Sequence, residues 1–386
     1  MIETRLKIVI AAGLFAGLAL SPKLWLSDRL YPLTPVFSFL GRIPEPFDFL
    51  IYTALLAILI AIAIGRKPAK LIGVFAVIAI IVALFDQSRW QPWFYQYLAM
   101  LIAVGLYYHD GIHDDRHHPA LNVCRLIVGS IYFWSGAQKL HTDFVGRIFP
   151  WLIEPFAGWL PHSMAPIIHS FGFVAPFIEI GIGIGLLTSR FRQYAVAGAI
   201  TMHSLILLCI GPLGRNWNNV VWPWNITMMV LVVLLFWKRP DLPAREIVWP
   251  RGQRLQRIVL ILFGIAPALS FLNLWDDYLS SALYAGYRNE PILQLTNSLA
   301  DRLPKEILNC VYLTEKPGVN VINLLHWSLN EMNVANYPAP RIYRSVARYI
   351  CSYTKQPSEM NLIIRRTHVL FSSDTQVSYD CPALLR

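Results

Sequence analysis

Long apolar runs separated by short polar segments restrict the fold of this chain more than any other feature. Runs of about twenty apolar residues, the length that a helix needs to cross a bilayer, recur through the first 275 residues. Only 15% of the 386 residues are charged and 55% are hydrophobic, whereas about a quarter of the residues in soluble domains are charged. The sequence therefore predicts an α-helical polytopic membrane protein, and we expect membrane lipid to be one of its partners.

The apolar runs predict about nine transmembrane helices in a bundle that covers residues 1–275. They lie at residues 6–21, 49–64, 71–85, 93–108, 123–140, 171–189, 194–213, 220–237 and 258–275. Residues 144–170, between the fifth and sixth segments, are rich in proline and aromatic residues. Because aromatic rings favour the headgroup level, this stretch is a candidate for an interfacial or re-entrant helix.

The distribution of lysine and arginine predicts the orientation, since positive loops stay in the cytoplasm. One alternate set of loops is the richer in basic residues: Arg66, Lys67, Lys70, Arg116, Arg190, Arg192, Lys238, Arg239, Arg245, Arg251, Arg254 and Arg257. We expect these loops, and the N-terminus, to be cytoplasmic. With an odd number of spans, the C-terminal part is then extracytoplasmic. The net charge of +10 lies largely in such loops, so we expect no nucleic-acid partner.

Residues 276–386 differ in character from the rest, because charges become frequent and no further spanning run occurs. About a hundred residues suffice for a small domain. Residues 311–313 and 361–371 are predicted strands from their β-branched content, and residues 341–353 are a predicted helix with Ile342, Val346 and Ile350 on one face. We therefore expect a small α+β extramembrane domain, extracytoplasmic, with an unknown protein partner.

Three of the five cysteines, Cys310, Cys351 and Cys381, lie in this C-terminal part. In an extracytoplasmic domain one pair can form a disulfide and leave one thiol over. The sequence does not fix the connectivity. We favour Cys351–Cys381.

Three ionisable residues lie within successive apolar segments, where charge is costly and therefore often functional. Lys139 is either a buried amine that acts as a base or a lysine that extends to the interface. Glu179, near the middle of its segment, is either a proton carrier or half of a structural ion pair with Lys139 or His203. His203 is either a hydrogen-bond partner for a ligand or a satisfied interhelical histidine.

Small residues and polar aromatic residues surround these positions. Gly136 and the glycines from Gly181 to Gly185 predict close helix packing. Polar and aromatic side chains near the membrane edge are either an aromatic belt or the mouth of a site for an amphipathic ring compound. The binding candidates are Tyr132, Trp134, Asn218, Asn219, Trp222 and Asn225.

The segment from His109 to His118 has a metal-like composition, with His113 and His117 four residues apart. It precedes Pro119, however, which favours a solvated connector. We therefore expect no metal site.

The stretch from Ile131 to Leu140, followed by Asp143, resembles the membrane region of the vitamin K-dependent gamma-carboxylase family, also described as the HTTM domain. More distantly it is similar to DoxX-type membrane proteins. Further similarity lies around Glu179, at Met202-His203 and in residues 85–90, within an HTTM-like core at about 85–237. The resemblance implies a reduced, vitamin K-like quinone as cofactor. It matches Lys139 to the family's catalytic base, and Glu179 and His203 to buried polar residues.

Two departures from the family restrict the expected activity. Trp93 stands where the family has a histidine, and the extracytoplasmic portion leaves little room for docking a protein substrate. We therefore expect quinone binding or oxidoreductase-like chemistry rather than protein carboxylation. A non-catalytic membrane component that anchors the outer domain or a partner is the alternative, and a transporter with a Lys139–Glu179 proton relay is a third. Whether the chain is an enzyme stays open at this point.

Overall fold

The computed structural model describes residues 2–108, 118–157, 161, 164–238, 242–250, 253–286, 289–314, 318–366 and 375–385, with the backbone alone at 165–169. The helices are α1 (Ile2–Leu20), α2 (Pro22–Trp25), α3 (Phe47–Ile64), α4 (Ala69–Leu84), α5 (Pro92–Tyr107), α6 (Pro119–Gln138), α7 (Phe149–Ala157), α8 (Ala165–Leu187), α9 (Arg192–Ile210), α10 (Val221–Phe236), α11 (Ala244–Val248), α12 (Arg254–Val259), α13 (Asn297–Ala300), α14 (Lys305–Leu308), α15 (Leu324–Met332), α16 (Pro340–Cys351) and α17 (Cys381–Leu385).

The strands are β1 (Asn289–Thr296), β2 (Val311–Leu313), β3 (Val319–Ile322), β4 (Met360–Arg366) and β5 (Thr375–Asp380). Two π-helical turns lie at Phe144–Ile148 and Leu260–Ile265. Short 3-10 helices lie at Gln87–Arg89, Ala266–Leu272, Tyr278–Ser280 and Pro357–Glu359. The chain is therefore mostly helical, with one small antiparallel sheet.

Each of the nine apolar segments is helical, but the described residues contain 4 helices that are both long and apolar enough to cross a membrane. They are Phe47–Ile64, Ser170–Leu187, Arg192–Ile210 and Arg254–Leu272. Two further apolar helices, α4 and α10, have 16 residues each. Helix α6 is longer, yet it buries the polar side chains of Asn122, Arg125 and Gln138. The count of nine spanning helices therefore stays a prediction.

The chain divides into two compact units, each discontinuous in sequence. Unit 1 comprises residues 1–20, 53–80 and 90–286, and unit 2 comprises residues 21–52, 81–89 and 287–386. The sequence analysis places a single boundary between residues 275 and 276. In the structure residues 21–52 and 81–89 group with the C-terminal part. A hydropathy pattern does not reveal such packing, because it describes each segment separately.

Close packing of α6 against α8 is the feature of unit 1 that positions its polar side chains. A Cβ atom at Gly136 would lie 2.6 Å from the carbonyl oxygen of Pro176, and one at Gly183 would lie 2.6 Å from the amide nitrogen of Phe133. Only glycine allows the two backbones to approach so closely. Gly181, by contrast, has nothing within 4 Å of that position, so the helix contact uses only part of the predicted glycine surface.

Unit 2 contains the five-stranded antiparallel sheet, with strand order β2-β3-β1-β4-β5. Leu293 in β1 lies opposite Ile322 in β3 and Leu362 in β4, and all three are buried. Helix α16 packs on β1 and β4 and buries its predicted apolar face. Strand β2 matches the predicted residues 311–313. Strand β4 covers most of the predicted second strand, whose residues 367–371 lie outside the described part.

Cys351 at the end of α16 and Cys381 at the start of α17 form a disulfide. It is the pair that the sequence analysis favours. Cys310 is a buried free thiol that receives a hydrogen bond from Asn330 and donates to the carbonyl of Glu306. The disulfide ties the C-terminal helix to the helix that covers the sheet.

Unit 2 contains a set of buried charges around Asp86. Its carboxylate pairs with Arg29 and accepts hydrogen bonds from Thr34 Oγ1 at 2.9 Å and from the Ser88 amide at 3.1 Å. Arg89 donates to the carbonyls of Leu24, Trp25 and Val82 at 2.6–2.9 Å. Burial raises the pKa of Asp86, but the charges of Arg29 and Arg89 and the hydrogen bonds from Arg29 and Ser88 together outweigh it, so the pKa lies below its ordinary value.

Candidate functional site

A largely apolar cavity of about 740 Å³ lies within unit 1. Helices α6, α7, α8, α9 and α10 form its wall, together with Leu283 and Tyr284. Lys139 and Glu179 are the charged side chains among the described residues that line it. Because pockets for small ligands have volumes of about 300–1,000 Å³ and few polar groups, the cavity has the dimensions and character of a ligand site.

Lys139 and Glu179 form an ion pair at this cavity, with Lys139 Nζ 2.6 Å from Glu179 Oε2. Lys139 Nζ also donates to Ser135 Oγ, one helical turn earlier, at 2.7 Å. The side chains are 13% and 9% exposed, so the pair is shielded but borders open space. The α6–α8 contact through Gly136 places Lys139, just past the end of α6, beside the middle of α8.

His203 in α9 lies between two polar side chains. Tyr132 Oη is 2.7 Å from His203 Nε2, and Asn225 Oδ1 is 2.7 Å from His203 Nδ1. Asn225 Nδ2 donates to the Val221 carbonyl at 2.8 Å, which leaves its oxygen to accept from Nδ1–H. Nε2 of a neutral His203 is then the acceptor for the Tyr132 hydroxyl. Both ring nitrogens are used within the chain, so the imidazole and the Tyr132 hydroxyl form one hydrogen-bonded unit at the cavity wall.

Four of the predicted binding residues do not line the cavity. Trp134 points elsewhere and donates to the Gly264 carbonyl at 3.1 Å. Trp222 donates to the carbonyls of Ile210 and Trp217. Asn218 contributes indirectly, since its amide donates at 3.0 Å to the hydroxyl of Tyr284, which lines the cavity. Asn219 is half-buried on the same loop. The structure therefore gathers Lys139, Glu179, His203, Tyr132 and Asn225 and leaves the other four outside.

Several lining residues were not predicted from the sequence. Ser135 is four residues before Lys139, a helical spacing that was available as a signal. Trp224, by contrast, belongs to the polar and aromatic stretch that the sequence analysis offered as the mouth of a site; it lines the cavity and donates to Gln96 Oε1 at 2.8 Å. Cys209 and Tyr284 come from the end of α9 and from the segment after the last apolar run. No sequence pattern marks Tyr284, because its position depends on the return of the chain across unit 1.

Helix α7 supplies the aliphatic and aromatic side chains of Leu152, Ile153 and Phe156 to the cavity wall. Arg215 holds α7 in place: it pairs with Glu154, and its guanidinium carbon lies 4.4 Å from the centroid of the Trp151 ring. Arg215 Nε also donates to the Trp151 carbonyl at 2.5 Å. Residues 144–157 of the proline- and aromatic-rich stretch thus form a π-helical turn followed by a short helix that lines the cavity.

The arrangement separates a long apolar wall from two polar groups, the Lys139–Glu179–Ser135 cluster and the Tyr132–His203–Asn225 chain. In the described part of the chain, no group of three or more His, Cys, Asp or Glu side chains is placed to hold a metal ion. His113 and His117 lie outside the described residues. The polar groups that line the cavity, a carboxylate–amine pair and a hydrogen-bonded phenol–imidazole chain, suit proton transfer and hydrogen bonding. Comparison with protein-family models, curated proteins and solved structures finds no match for the chain.

Proposed function

We propose that the chain is an integral, multi-pass membrane protein with about nine spans, a cytoplasmic N-terminus and an extracytoplasmic C-terminal part. Four long apolar helices support the proposal, as does the concentration of basic residues in alternate loops. The Cys351–Cys381 disulfide fits an oxidising compartment on the C-terminal side.

We further propose that the cavity in unit 1 binds a quinone or a similar amphipathic ring compound. The observation that carries this proposal is the Lys139–Glu179 pair at the edge of an otherwise largely apolar chamber. An apolar wall suits a ring and a hydrocarbon tail, and a polar end suits ring oxygens. The resemblance of residues 131–140 to the vitamin K-dependent gamma-carboxylase family points to the same ligand class.

The residues of the chain have distinct roles in this proposal. Lys139 is the base: transfer of the shared proton to Glu179 Oε2 leaves a neutral amine beside the cavity. Glu179 is its proton partner, and Ser135 orients Nζ. Tyr132 donates to His203 Nε2, so its hydroxyl oxygen accepts from a ligand hydroxyl, while Asn225 fixes the imidazole tautomer. A quinone, when bound, supplies two-electron redox chemistry. A quinone-dependent oxidoreductase is the enzyme class that follows.

One observation favours the alternative, a non-catalytic membrane component. Lys139 and Glu179 neutralise each other's charge, which is what a structural ion pair in a helix bundle does. A transporter is less well supported, since it requires discontinuous helices and α8 continues unbroken through Pro176. Ligand content separates the first two possibilities.

The test is mass spectrometry of the organic extract from protein purified in mild detergent. We expect about one quinone per wild-type chain, and at least a tenfold lower content for Lys139→Ala and Asn225→Ala. Asn219→Ala is the matched control, because Asn219 lies just before α10, the helix that carries Asn225, and does not line the cavity. This variant should retain the ligand. Protein without ligand is then titrated with decylubiquinone by calorimetry. Absence of ligand together with absence of saturable binding contradicts the proposal and supports the structural alternative.

A further inference from the structure

Residues 36–50 of unit 2 display an unusual amount of apolar surface. The exposed fractions reach 48% for Phe37 and 80% for Phe39 before α3, and 54–58% for Phe47, Phe49 and Leu50 within its first turn. Phe37 and Phe39 stack on each other with ring centroids 5.4 Å apart. Single exposed apolar residues are ordinary, but a run of aromatic rings along one segment indicates an interaction surface.

The segment cannot bury these rings by folding back, because both of its ends are fixed. At one end Val36 N donates to the Leu84 carbonyl at 2.9 Å, and Gln87 Nε2 donates to the Pro35 carbonyl at 3.0 Å. At the other end the buried carboxylate of Asp48 accepts from the Ser27 amide at 2.8 Å. The hydrogen bonds use the backbone and the polar side chains, so the phenyl rings remain outside.

Two further observations favour lipid as the partner of this surface. The segment leads directly into α3, which has a mean hydropathy of 2.5 and whose last residue, Ile64, is 79% exposed. Its exposed charges also oppose each other, since Arg42 lies 3.7 Å from Glu45. Phenylalanine rings next to a spanning helix, with little net charge, suit the boundary between headgroups and acyl chains.

We propose that residues 36–50 form an interfacial anchor that inserts the rings of Phe37 and Phe39 into the membrane surface on the side where α3 begins. The exposed apolar side chains of the first turn of α3 belong to the same segment of unit 2, so lipid covers them together with Phe37 and Phe39. This inference rests on the proposed membrane integration of the chain and does not depend on the identity of the ligand in the cavity.

Spin labelling of the full chain in phosphatidylcholine–phosphatidylglycerol liposomes tests this. A nitroxide is attached to Phe39→Cys and, in a second variant, to Phe37→Cys. Leu313→Cys is the matched control, because Leu313 is 82% exposed but lies on the edge strand β2. Wild-type protein carried through the same labelling gives the background from Cys124, Cys209 and Cys310. Collisions with oxygen report the bilayer, and collisions with a water-soluble nickel chelate report solvent.

We expect labels at positions 39 and 37 to collide at least several-fold more often with oxygen, relative to nickel, than the label at 313. Ratios at positions 37 and 39 that are no higher than the ratio at 313 overturn the proposal. Low collision rates with both reagents, together with spin–spin broadening, indicate a second copy of the chain on this surface and overturn it as well.

Discussion

Among the described residues, unit 1 contains the shielded pair Lys139–Glu179 and unit 2 contains the fully buried pair Arg29–Asp86. The two pairs differ in what surrounds them. Asp86 in unit 2 receives hydrogen bonds from Thr34 and Ser88 in addition to its pairing with Arg29. Arg29 in turn donates to backbone carbonyls, including that of Tyr31 at 2.9 Å. Both of these side chains are 0% exposed. Asp86 and Arg29 thus have several hydrogen-bond partners besides each other, and neither side chain lines the cavity described above.

The pair in unit 1 has unused capacity. Among the described residues, Glu179 accepts one hydrogen bond, from Lys139, although a carboxylate offers about four lone-pair sites. Both Lys139 and Glu179 line the cavity. The comparison suggests that burial and pairing do not distinguish a functional charge from a structural one. The distinguishing feature is an acceptor or donor left unsatisfied next to a space that a ligand can fill.

The largest effect should come from breaking the saturated pair. Asp86→Ala leaves the Arg29 guanidinium buried without its counter-charge, which costs about 3–5 kcal/mol, so we expect unit 2 to lose most of its stability. Denaturant unfolding followed by limited proteolysis of unit 2 measures this. Asp28→Ala is the control, since Asp28 is 82% exposed and lies 3.8 Å from Arg42, and it should leave the unfolding midpoint unchanged. Equal effects of the two substitutions would contradict the saturated network.

A smaller effect on stability is expected for the cavity pair, because water in the cavity can solvate the remaining charge. Lys139→Ala and Glu179→Gln should each cost about 1.5–3 kcal/mol, the range for hydrogen bonds to charged groups. A double-mutant cycle should give a coupling of about 0.5–3 kcal/mol. Either single variant should also lower the quinone content measured under the proposed function. If either variant lost as much stability as Asp86→Ala and still retained the ligand, Lys139–Glu179 would be a structural ion pair and not part of a ligand site.

The distance between Lys139 and Glu179 depends on the close contact of α6 with α8 at their glycines. A Cβ atom at Gly183 would meet the backbone of Phe133 at 2.6 Å, so Gly183→Ala should push the helices apart and cost about 1–3 kcal/mol. Ligand content should fall although no lining residue has changed. Gly181→Ala on the same helix is the matched control, because open space surrounds that position. If both variants bind alike, the helix contact does not position the site.

Sequence reasoning succeeded where local pattern and fixed helical spacing carry the information. The apolar segments, the position of Glu179 within one of them, and the glycine surface all follow from residue order. Within unit 2, α16 and the strand at residues 311–313 also follow from periodicity and β-branched content. These features depend on neighbours within one helix or strand, so their physical causes are visible in a single segment.

Two pairings of distant segments, Cys351–Cys381 and Lys139–Glu179, were among the possibilities that residue type suggested, but other long-range features were not. Trp134 and Trp222 were plausible ligand-binding residues by type. The direction in which each indole points depends on the rotation of its helix, and in the structure each indole N–H donates to backbone carbonyls instead. The pairing of Arg29 with Asp86 joins a loop to a segment 57 positions later, and neither residue lies inside an apolar run. Tyr284 reaches the cavity only because of the return path of the chain. Single-sequence patterns contain no information on these pairings.

The smallest expected effect comes from a third carboxylate, Glu359, which extends the comparison to pH. Hydrogen bonds from Arg302 at 2.5 Å and from the Lys355 amide at 2.7 Å lower its pKa from 4.5 to about 2. A lowered pKa in the folded state stabilises unit 2 above pH 4.5, and this contribution is lost as the pH falls toward 2. Glu359→Gln should therefore reduce, but not abolish, the decrease in the unfolding midpoint between pH 5 and 3, because the pKa of Asp86 is also lowered. Glu45→Gln, which removes a carboxylate that is 64% exposed, should keep the wild-type pH dependence. An unchanged slope in Glu359→Gln would show that its hydrogen bonds persist in the unfolded chain or contribute nothing to folding.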